Sequence, residues 1–168
     1  MTGLRSGIFA ILASICLWFA GRALVHAFVS DETKIRWRIE DACQGFDDTR
    51  MNPILDLLAK DYREESLGFS REDVRGAVAS IFLSEKDPQT KRFPYHVQLI
   101  ADDLAIDIEK PDAKRARVAL RARILDTRGG NERNAWEFRV EGRLEKRPEG
   151  WQFTKSTHET LAGNFQLR

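Results

Sequence analysis

The fold is decided by two neighbouring stretches of sequence: residues 115–124, which read RARVALRARI, and residues 136–145, which read WEFRVEGRLE. In both stretches apolar and charged residues alternate, and this period of two indicates a β-strand with one face in the core. Gly129 and Gly130 lie between the stretches and favour a hairpin loop. The sequence therefore predicts a long antiparallel hairpin with an apolar inner face and a charged outer face. The predicted inner residues are Ala116, Val118, Leu120, Ala122, Ile124, Trp136, Phe138, Val140 and Leu144.

The charges on the outer face favour one register of this hairpin. In that register Arg117 faces Glu145 and Arg121 faces Glu141, whereas in the alternative register each of these arginines faces another arginine. Pairs of opposite charge across two strands stabilise a sheet by a few tenths of a kcal/mol each. We therefore expect the first register.

Further strand patterns flank the hairpin on both sides. Upstream, the alternation over residues 93–108 changes phase across residues 101–103, which predicts a bulge or a bend in one long strand. Downstream, a last strand is expected over residues 151–158, with Trp151 and Phe153 on its core face. These strands extend the hairpin into a sheet.

Three helical patterns precede the strands. Apolar residues recur at helical spacing over residues 31–46, and a second helix is expected over residues 52–62, with Tyr62 at its end. The third helix begins at Ser70, because Ser70 and Asp73 fit a capping box with Asp in place of Glu. Helices followed by strands indicate an α+β domain with an antiparallel sheet.

The N-terminal segment has the composition of a membrane helix. Residues 7–29 read GIFAILASICLWFAGRALVHAFV and contain no acidic residue. A helix of this length spans about 34 Å, close to the thickness of the hydrocarbon core of a bilayer. We therefore expect residues 1–30 to be a membrane anchor, with residues 7–29 in the membrane and residues 31–168 forming one domain on the extracytoplasmic side. The alternative is a cleaved signal peptide with its cleavage site at residues 25–27.

The composition excludes several classes of protein. The 27 Lys and Arg residues nearly cancel the 26 Asp and Glu residues, so no cationic surplus is left for a nucleic-acid binder that acts through bulk charge. Two cysteines are too few for a disulfide framework or a Cys-rich zinc site. His96 and His158 are out of phase with the core residues of their strands and are expected to point outward, without an acidic third ligand. We therefore expect no metal site and no cofactor.

The order and spacing of these elements resemble the NTF2-like (SnoaL-like) superfamily. The features that carry the resemblance are the capped helix from Ser70, the bent strand to Ile108, the turn at residues 112–113 and the Gly-Trp-Gln-Phe sequence at residues 150–153. The resemblance covers about residues 31–160 and implies a cone, in which a strongly curved antiparallel sheet wraps around three helices and leaves a pocket at its open end. Members include isomerases, cyclases, dehydratases, transport factors and non-catalytic subunits, so the fold alone does not decide the function.

The inner faces of the predicted strands carry no group that transfers a proton, and this favours ligand binding over catalysis. The residues expected to line the pocket are Tyr62, Val118, Leu120, Trp136, Phe138 and Val140. The candidates for a general base are Asp102 and Asp103 at the phase change, with Tyr62 as a hydrogen-bond donor. A solvated acidic pair at a bend is the competing interpretation of the two aspartates.

Three functional hypotheses follow. The leading one is a membrane-tethered domain without enzymatic activity, which binds a small apolar ligand or docks another envelope protein. The alternative is a small-molecule isomerase or dehydratase with Asp102 or Asp103 as the general base. The third is a subunit that folds against a partner protein. The charged outer face of the hairpin is expected to be a solvated surface, or a polar interface with a protein partner or a second copy of the chain.

Overall fold

The computed structural model describes residues 29–87, 90 and 92–163, and within them it contains three α-helices and six β-strands. No helix in these ranges is long and apolar enough to cross a membrane. Of the predicted anchor, residues 1–30, only residues 29 and 30 lie within the described ranges. The helices are α1 (Asp31–Asp47), α2 (Met51–Asp56) and α3 (Arg71–Ser84), and the strands are β1 (Leu58–Glu64), β2 (Tyr95–Leu99), β3 (Ala105–Ile108), β4 (Arg115–Asp126), β5 (Arg133–Arg147) and β6 (Gly150–Gly163).

The strands form one curved sheet in the order β1-β6-β5-β4-β2, with β3 also paired to β4. The β1–β6 pair is parallel and the other pairs are antiparallel, so the sheet is mixed and the expectation of a purely antiparallel sheet was wrong. Helix α1 lies against the inner face, where Ile35 and Ile39 pack among the side chains of the central strands. The α+β architecture expected from the sequence is confirmed.

The predicted bend in the strand before the hairpin is present. Strands β2 and β3 pair with successive parts of β4, with Val97 opposite Ile124 and Ile106 opposite Val118. The 3₁₀ turn Ala101–Asp103 separates them. One long strand is therefore interrupted where its alternation changes phase.

The starts of α1 and α3 are fixed by local hydrogen bonds. The Ser30 side chain accepts a hydrogen bond from the Thr33 amide at 3.2 Å. At α3, the Asp73 amide donates to Ser70 Oγ at 3.3 Å and the Ser70 amide donates to Asp73 Oδ2 at 2.8 Å. The predicted capping box is confirmed, and it satisfies backbone donors that a helix start otherwise leaves unpaired.

The second helix is shorter than predicted, and a strand takes the place of its second half. Helix α2 ends at Asp56, and Tyr62 lies in β1. The pairing of β1 with β6 is irregular between Leu58 and Arg63, so the buried residues Ala59 and Tyr62 are three positions apart. This spacing matches a helix rather than the period of two of a strand, and it explains the error. A strand therefore lies between two of the helices.

The hairpin adopts the register that outer-face charges disfavoured. Arg117 lies opposite Arg143, and Arg121 lies opposite Arg139. Inner-face packing explains the difference, because this register places each inner alanine opposite a large residue, Ala116 opposite Leu144 and Ala122 opposite Phe138. Part of the outer charge is compensated at Glu137, which lies directly opposite Arg123 and diagonally from Arg121. Arg121 and Arg123 both donate to the Glu137 carboxylate.

Candidate functional site

A β-bulge in β6 determines which side chains of this strand face the helices. Leu144 pairs with Phe153 and Arg143 pairs with Lys155, so Thr154 is an extra residue in β6. Beyond a bulge of this kind, the alternation of a strand changes phase. The expectation that His158 points outward was therefore wrong. His158 lies opposite Val140, which packs against the core.

Four polar residues meet on the inner face at the β1–β6 end of the sheet. We call them the inner polar cluster: Tyr62 and Glu64 from β1, and Ser156 and His158 from β6. Glu64 lies beside Ser156 in the parallel pairing. Three members are buried, and the His158 side chain is 25% exposed. The cluster thus combines a closed interior with one group that solvent or a small molecule can reach.

The central contact of the cluster joins His158 to Glu64. The distance from His158 Nδ1 to Glu64 Oε1 is 3.0 Å. Because an ionised carboxylate only accepts hydrogen bonds, Nδ1 carries the proton in this pair. Nε2 makes no hydrogen bond to any residue in the described part of the chain and, in the neutral ring, is the basic nitrogen. A carboxylate that orients an imidazole in this way prepares it to accept a proton.

Glu64 is held as a carboxylate by several donors. The Leu67 amide donates to Oε2 at 2.6 Å, and the Ser66 amide donates to Oε1 at 3.0 Å. Burial alone would raise the pKa of Glu64, but the hydrogen bonds from Leu67, His158 and Ser66 outweigh it and hold the pKa below its usual value. Glu64 is therefore ionised near neutral pH and available to orient His158.

The other two members form a second hydrogen-bonded pair. The Tyr62 hydroxyl lies 2.6 Å from Ser156 Oγ. Burial raises the pKa of Tyr62, and the nearby Glu64 carboxylate raises it further, although the hydrogen bond to Ser156 acts in the opposite direction. Tyr62 therefore remains a protonated phenol, which can donate to Ser156 Oγ or accept from it.

An aromatic wall borders the cluster on β5. The rings of Trp136 and Phe138 are stacked with their centroids 4.3 Å apart. The Trp136 ring meets His158 edge to face at 6.2 Å, and its Nε1 donates to Thr160 Oγ1 at 3.1 Å. Both side chains of the wall are half-buried. Trp136 therefore borders His158 on the inner face of the sheet.

The residues predicted to line a pocket divide into two groups. Val118, Leu120 and Tyr62 are buried in the main core with α1, where Val118 is 2% exposed. Trp136, Phe138 and Val140 are half-buried, and Trp136 borders His158 directly. Trp136 of the second group therefore borders His158, and Tyr62 of the first group belongs to the inner polar cluster itself.

The two candidate aspartates lie far from Tyr62 in the sheet. Asp102 and Asp103 are exposed on the 3₁₀ turn between β2 and β3, and Asp103 contacts Arg121 at 3.5 Å. This turn lies next to β4, whereas Tyr62 lies on β1 at the opposite edge of the sheet. The structure does not bring them together as a base and its donor, and the solvated interpretation fits their exposure.

His96 points outward, as predicted. Its side chain is 52% exposed and its Nδ1 contacts the Asp47 carboxylate. Across the described ranges, no three His, Cys, Asp or Glu side chains are grouped in a way that could hold a metal ion. The acid–base pair that we assign to the inner face of the sheet is Glu64 with His158.

Two clefts open on the outer face of the sheet, with volumes of about 450 and 370 Å³. Arg117, Arg143 and Lys155 line both of them. Charged side chains form much of their walls, and Lys155 is paired with Glu65 at 2.7 Å. These clefts lack a carboxylate-oriented imidazole, and we place the candidate site on the inner face. The predicted polar interface with a partner stays a prediction.

Replacing Glu64 with glutamine is expected to lower the free energy of unfolding by about 1–3 kcal/mol near neutral pH, because the donors around it lose a charged acceptor. Folding lowers the pKa of Glu64 from its usual 4.5, so its contribution is present above that value and is lost as the pH falls through the lowered one. Denaturant unfolding across this range, with and without Glu64→Gln, measures the effect. The difference between the two chains should shrink on acidification, and a difference that stays constant would contradict the assignment.

Comparisons with known proteins show the fold. No family model and no curated protein matches the sequence. Among solved structures, an NTF2-like protein with a cystatin-like fold from Novosphingobium aromaticivorans has a TM-score of 0.61 and 16% identity over 89% of this chain and 92% of that chain. An NTF2-like superfamily protein from Salmonella enterica serovar Typhimurium has a TM-score of 0.59 and 12% identity over 80% and 93%. A proposed dehydratase of the NTF2-like family from Streptomyces avermitilis has a TM-score of 0.58 and 13% identity over 79% and 97%. The chain therefore has the fold of NTF2-like proteins.

Proposed function

We propose that this domain is a small-molecule enzyme that transfers protons, with His158 as the acid–base group and Glu64 as the residue that orients it. The observation that carries the proposal is the 3.0 Å contact between Glu64 Oε1 and His158 Nδ1 on the inner face of the sheet. It overturns the inference that no proton-transfer group lies on that face. It also moves the general base of the alternative hypothesis from Asp102 or Asp103 to His158.

The geometry suits reactions in which a proton leaves carbon. His158 Nε2 takes a proton from a carbon next to a carbonyl group, and the electron pair of that C–H bond forms a carbon–carbon double bond. In an elimination, the leaving hydroxyl group takes the proton back from His158 and departs as water. In an isomerisation, the proton returns to another carbon of the same substrate. The protein from Streptomyces avermitilis with a similar fold is a proposed dehydratase, and the first of these reactions is a dehydration.

The test uses a probe that reports a positioned base without knowledge of the natural substrate. A base that removes the ring C–H proton of 5-nitrobenzisoxazole breaks its N–O bond and releases a coloured cyanophenolate. We expect the full chain to accelerate this elimination at least about a hundredfold over the same concentration of free imidazole, because the ring is held against the aromatic wall beside Nε2. A rate equal to that of free imidazole would sink the proposal.

A second candidate function is binding without turnover. The half-buried wall of Trp136 and Phe138 offers apolar surface for a small ligand whether or not His158 acts on it. Tight binding of an aromatic ligand, together with no excess elimination rate, would favour this function.

The membrane anchor and the extracytoplasmic location of the domain stay predictions from the sequence. Their basis is the apolar composition of residues 7–29. Removal of residues 1–29 is expected to shift the chain from the membrane fraction to the soluble fraction. Equal distribution of the full and shortened chains would contradict the anchor.

A further inference from the structure

Strand alternation separates the inner polar cluster from the cations of the neighbouring strands. Arg143 pairs with Lys155, and Arg139 pairs with Glu159, on the outer face of β5 and β6. Across the described residues, no lysine or arginine forms a hydrogen bond or an ion pair with any member of the inner polar cluster. The ionised Glu64 is thus balanced there by neutral donors and by His158, not by a fixed cation.

The ionised Glu64 gives the surroundings of His158 a charge preference. Glu64 Oε1 lies 3.0 Å from His158 Nδ1, so a carboxylate or phosphate on a molecule bound beside the imidazole would approach the Glu64 carboxylate. This approach is unfavourable for an anion and does not penalise a neutral hydroxyl or carbonyl group.

We propose that the site discriminates by charge and takes uncharged aromatic substrates while rejecting their anionic analogues. The inference rests on the proposed function only in taking the aromatic wall beside His158 as the place where a substrate binds. Because of the bulge at Thr154, His158 lies on the inner face of the sheet, whereas Arg143 and Lys155 lie on the outer face. The one inserted residue therefore determines which acid–base group lies on the inner face and which charged side chains surround it.

The test compares two ligands that share one ring system. At neutral pH 2-naphthol is uncharged and 2-naphthoate is an anion, and titration calorimetry on the full chain gives both dissociation constants. We expect naphthol to bind at least about tenfold more tightly, a ratio that corresponds to about 1.4 kcal/mol. Equal affinity for the two ligands, or no binding of naphthol, would overturn the inference.

Two lysine substitutions on the same strand provide the matched comparison. Thr160 is exposed on the inner face and accepts the Trp136 hydrogen bond, whereas Thr157 is exposed on the outer face opposite Glu141. Thr160→Lys places a cation at the aromatic wall and is expected to reduce the preference for naphthol at least about fivefold. Thr157→Lys adds the same charge to the chain and is expected to leave the preference unchanged. A similar change in both variants would show that net charge, not the site, sets the preference.

These measurements separate the inference from the proposed function. If the preference for naphthol responds only to Thr160→Lys and the chain does not accelerate the benzisoxazole elimination, the charge preference stands and the catalytic role is wrong. If the chain catalyses the elimination but binds naphthoate as tightly as naphthol, the catalytic role stands and the charge preference is wrong.

Discussion

Replacing His158 with glutamine is expected to reduce the accelerated elimination of 5-nitrobenzisoxazole by about 10²–10⁴-fold, since the reaction then lacks its general base. Glutamine keeps a polar side chain of similar reach but has no basic nitrogen near neutral pH. The His158 side chain is 25% exposed and belongs to no buried core cluster, so the variant is expected to fold. The initial rate of phenolate release, measured with saturating probe, gives the effect.

The matched control is the same substitution at the outward histidine. His96→Gln also removes an imidazole that contacts a carboxylate, that of Asp47, but on β2, at the opposite edge of the sheet from β1. It is expected to leave the elimination rate within about twofold of the unaltered chain. Glu64→Gln should give an intermediate loss, because His158 keeps its basic nitrogen but is no longer oriented by a charge. If His158→Gln retained the full rate, another group would be the base.

The sequence predicts best those parts of the fold that depend on residues close together in the chain. The capping box at Ser70 and Asp73 depends on residues three apart, and it is present. The alternation over β4 and β5 identifies the inner face wherever the strands are regular, as at Val118 and Leu144. In these segments the local pattern and the final burial agree, because a single period describes each of them.

The candidate site was missed because it depends on irregularities and on a long-range pairing. Nothing in the sequence of β6 marks Thr154 as the inserted residue, so the regular phase placed His158 outside. Glu64 and His158 are far apart in sequence and meet only because β1 pairs in parallel with β6. A signal was present in retrospect: Tyr62 and Glu64 alternate with Asp61 and Arg63, a short period of two that the helical interpretation overlooked.

The register of the hairpin shows which of two effects on stability is larger, the pairing of charges on the outer face or the packing of side chains on the inner face. Cross-strand charge pairs contribute tenths of a kcal/mol each at an exposed face. Both registers keep the same side chains on the inner face, but a poor fit among those side chains costs about 1–3 kcal/mol. The observed register, with Leu144 opposite Ala116, follows the larger effect and leaves Arg117 opposite Arg143.

Replacing Leu144 with alanine is expected to lower the free energy of unfolding by about 2–5 kcal/mol, the cost of removing a large side chain from a core that cannot collapse around it. Leu144 is 0% exposed and packs in one cluster with Ile35 of α1 and with Trp151 and Phe153 of β6. It therefore joins the helix to the centre of the sheet. Urea unfolding followed by tryptophan fluorescence measures the change, since Trp151 lies in the same cluster.

The same substitution at an exposed leucine separates burial from residue type. Leu83 near the end of α3 is 78% exposed, so Leu83→Ala removes almost no buried contact. Its effect is expected within about 0.5 kcal/mol, as for most surface changes. Equal losses for Leu144→Ala and Leu83→Ala would mean that Leu144 is not in the core. A large loss for Leu144→Ala alone ties the stability of the domain to the α1–sheet contact, on the same inner face that carries Glu64 and His158.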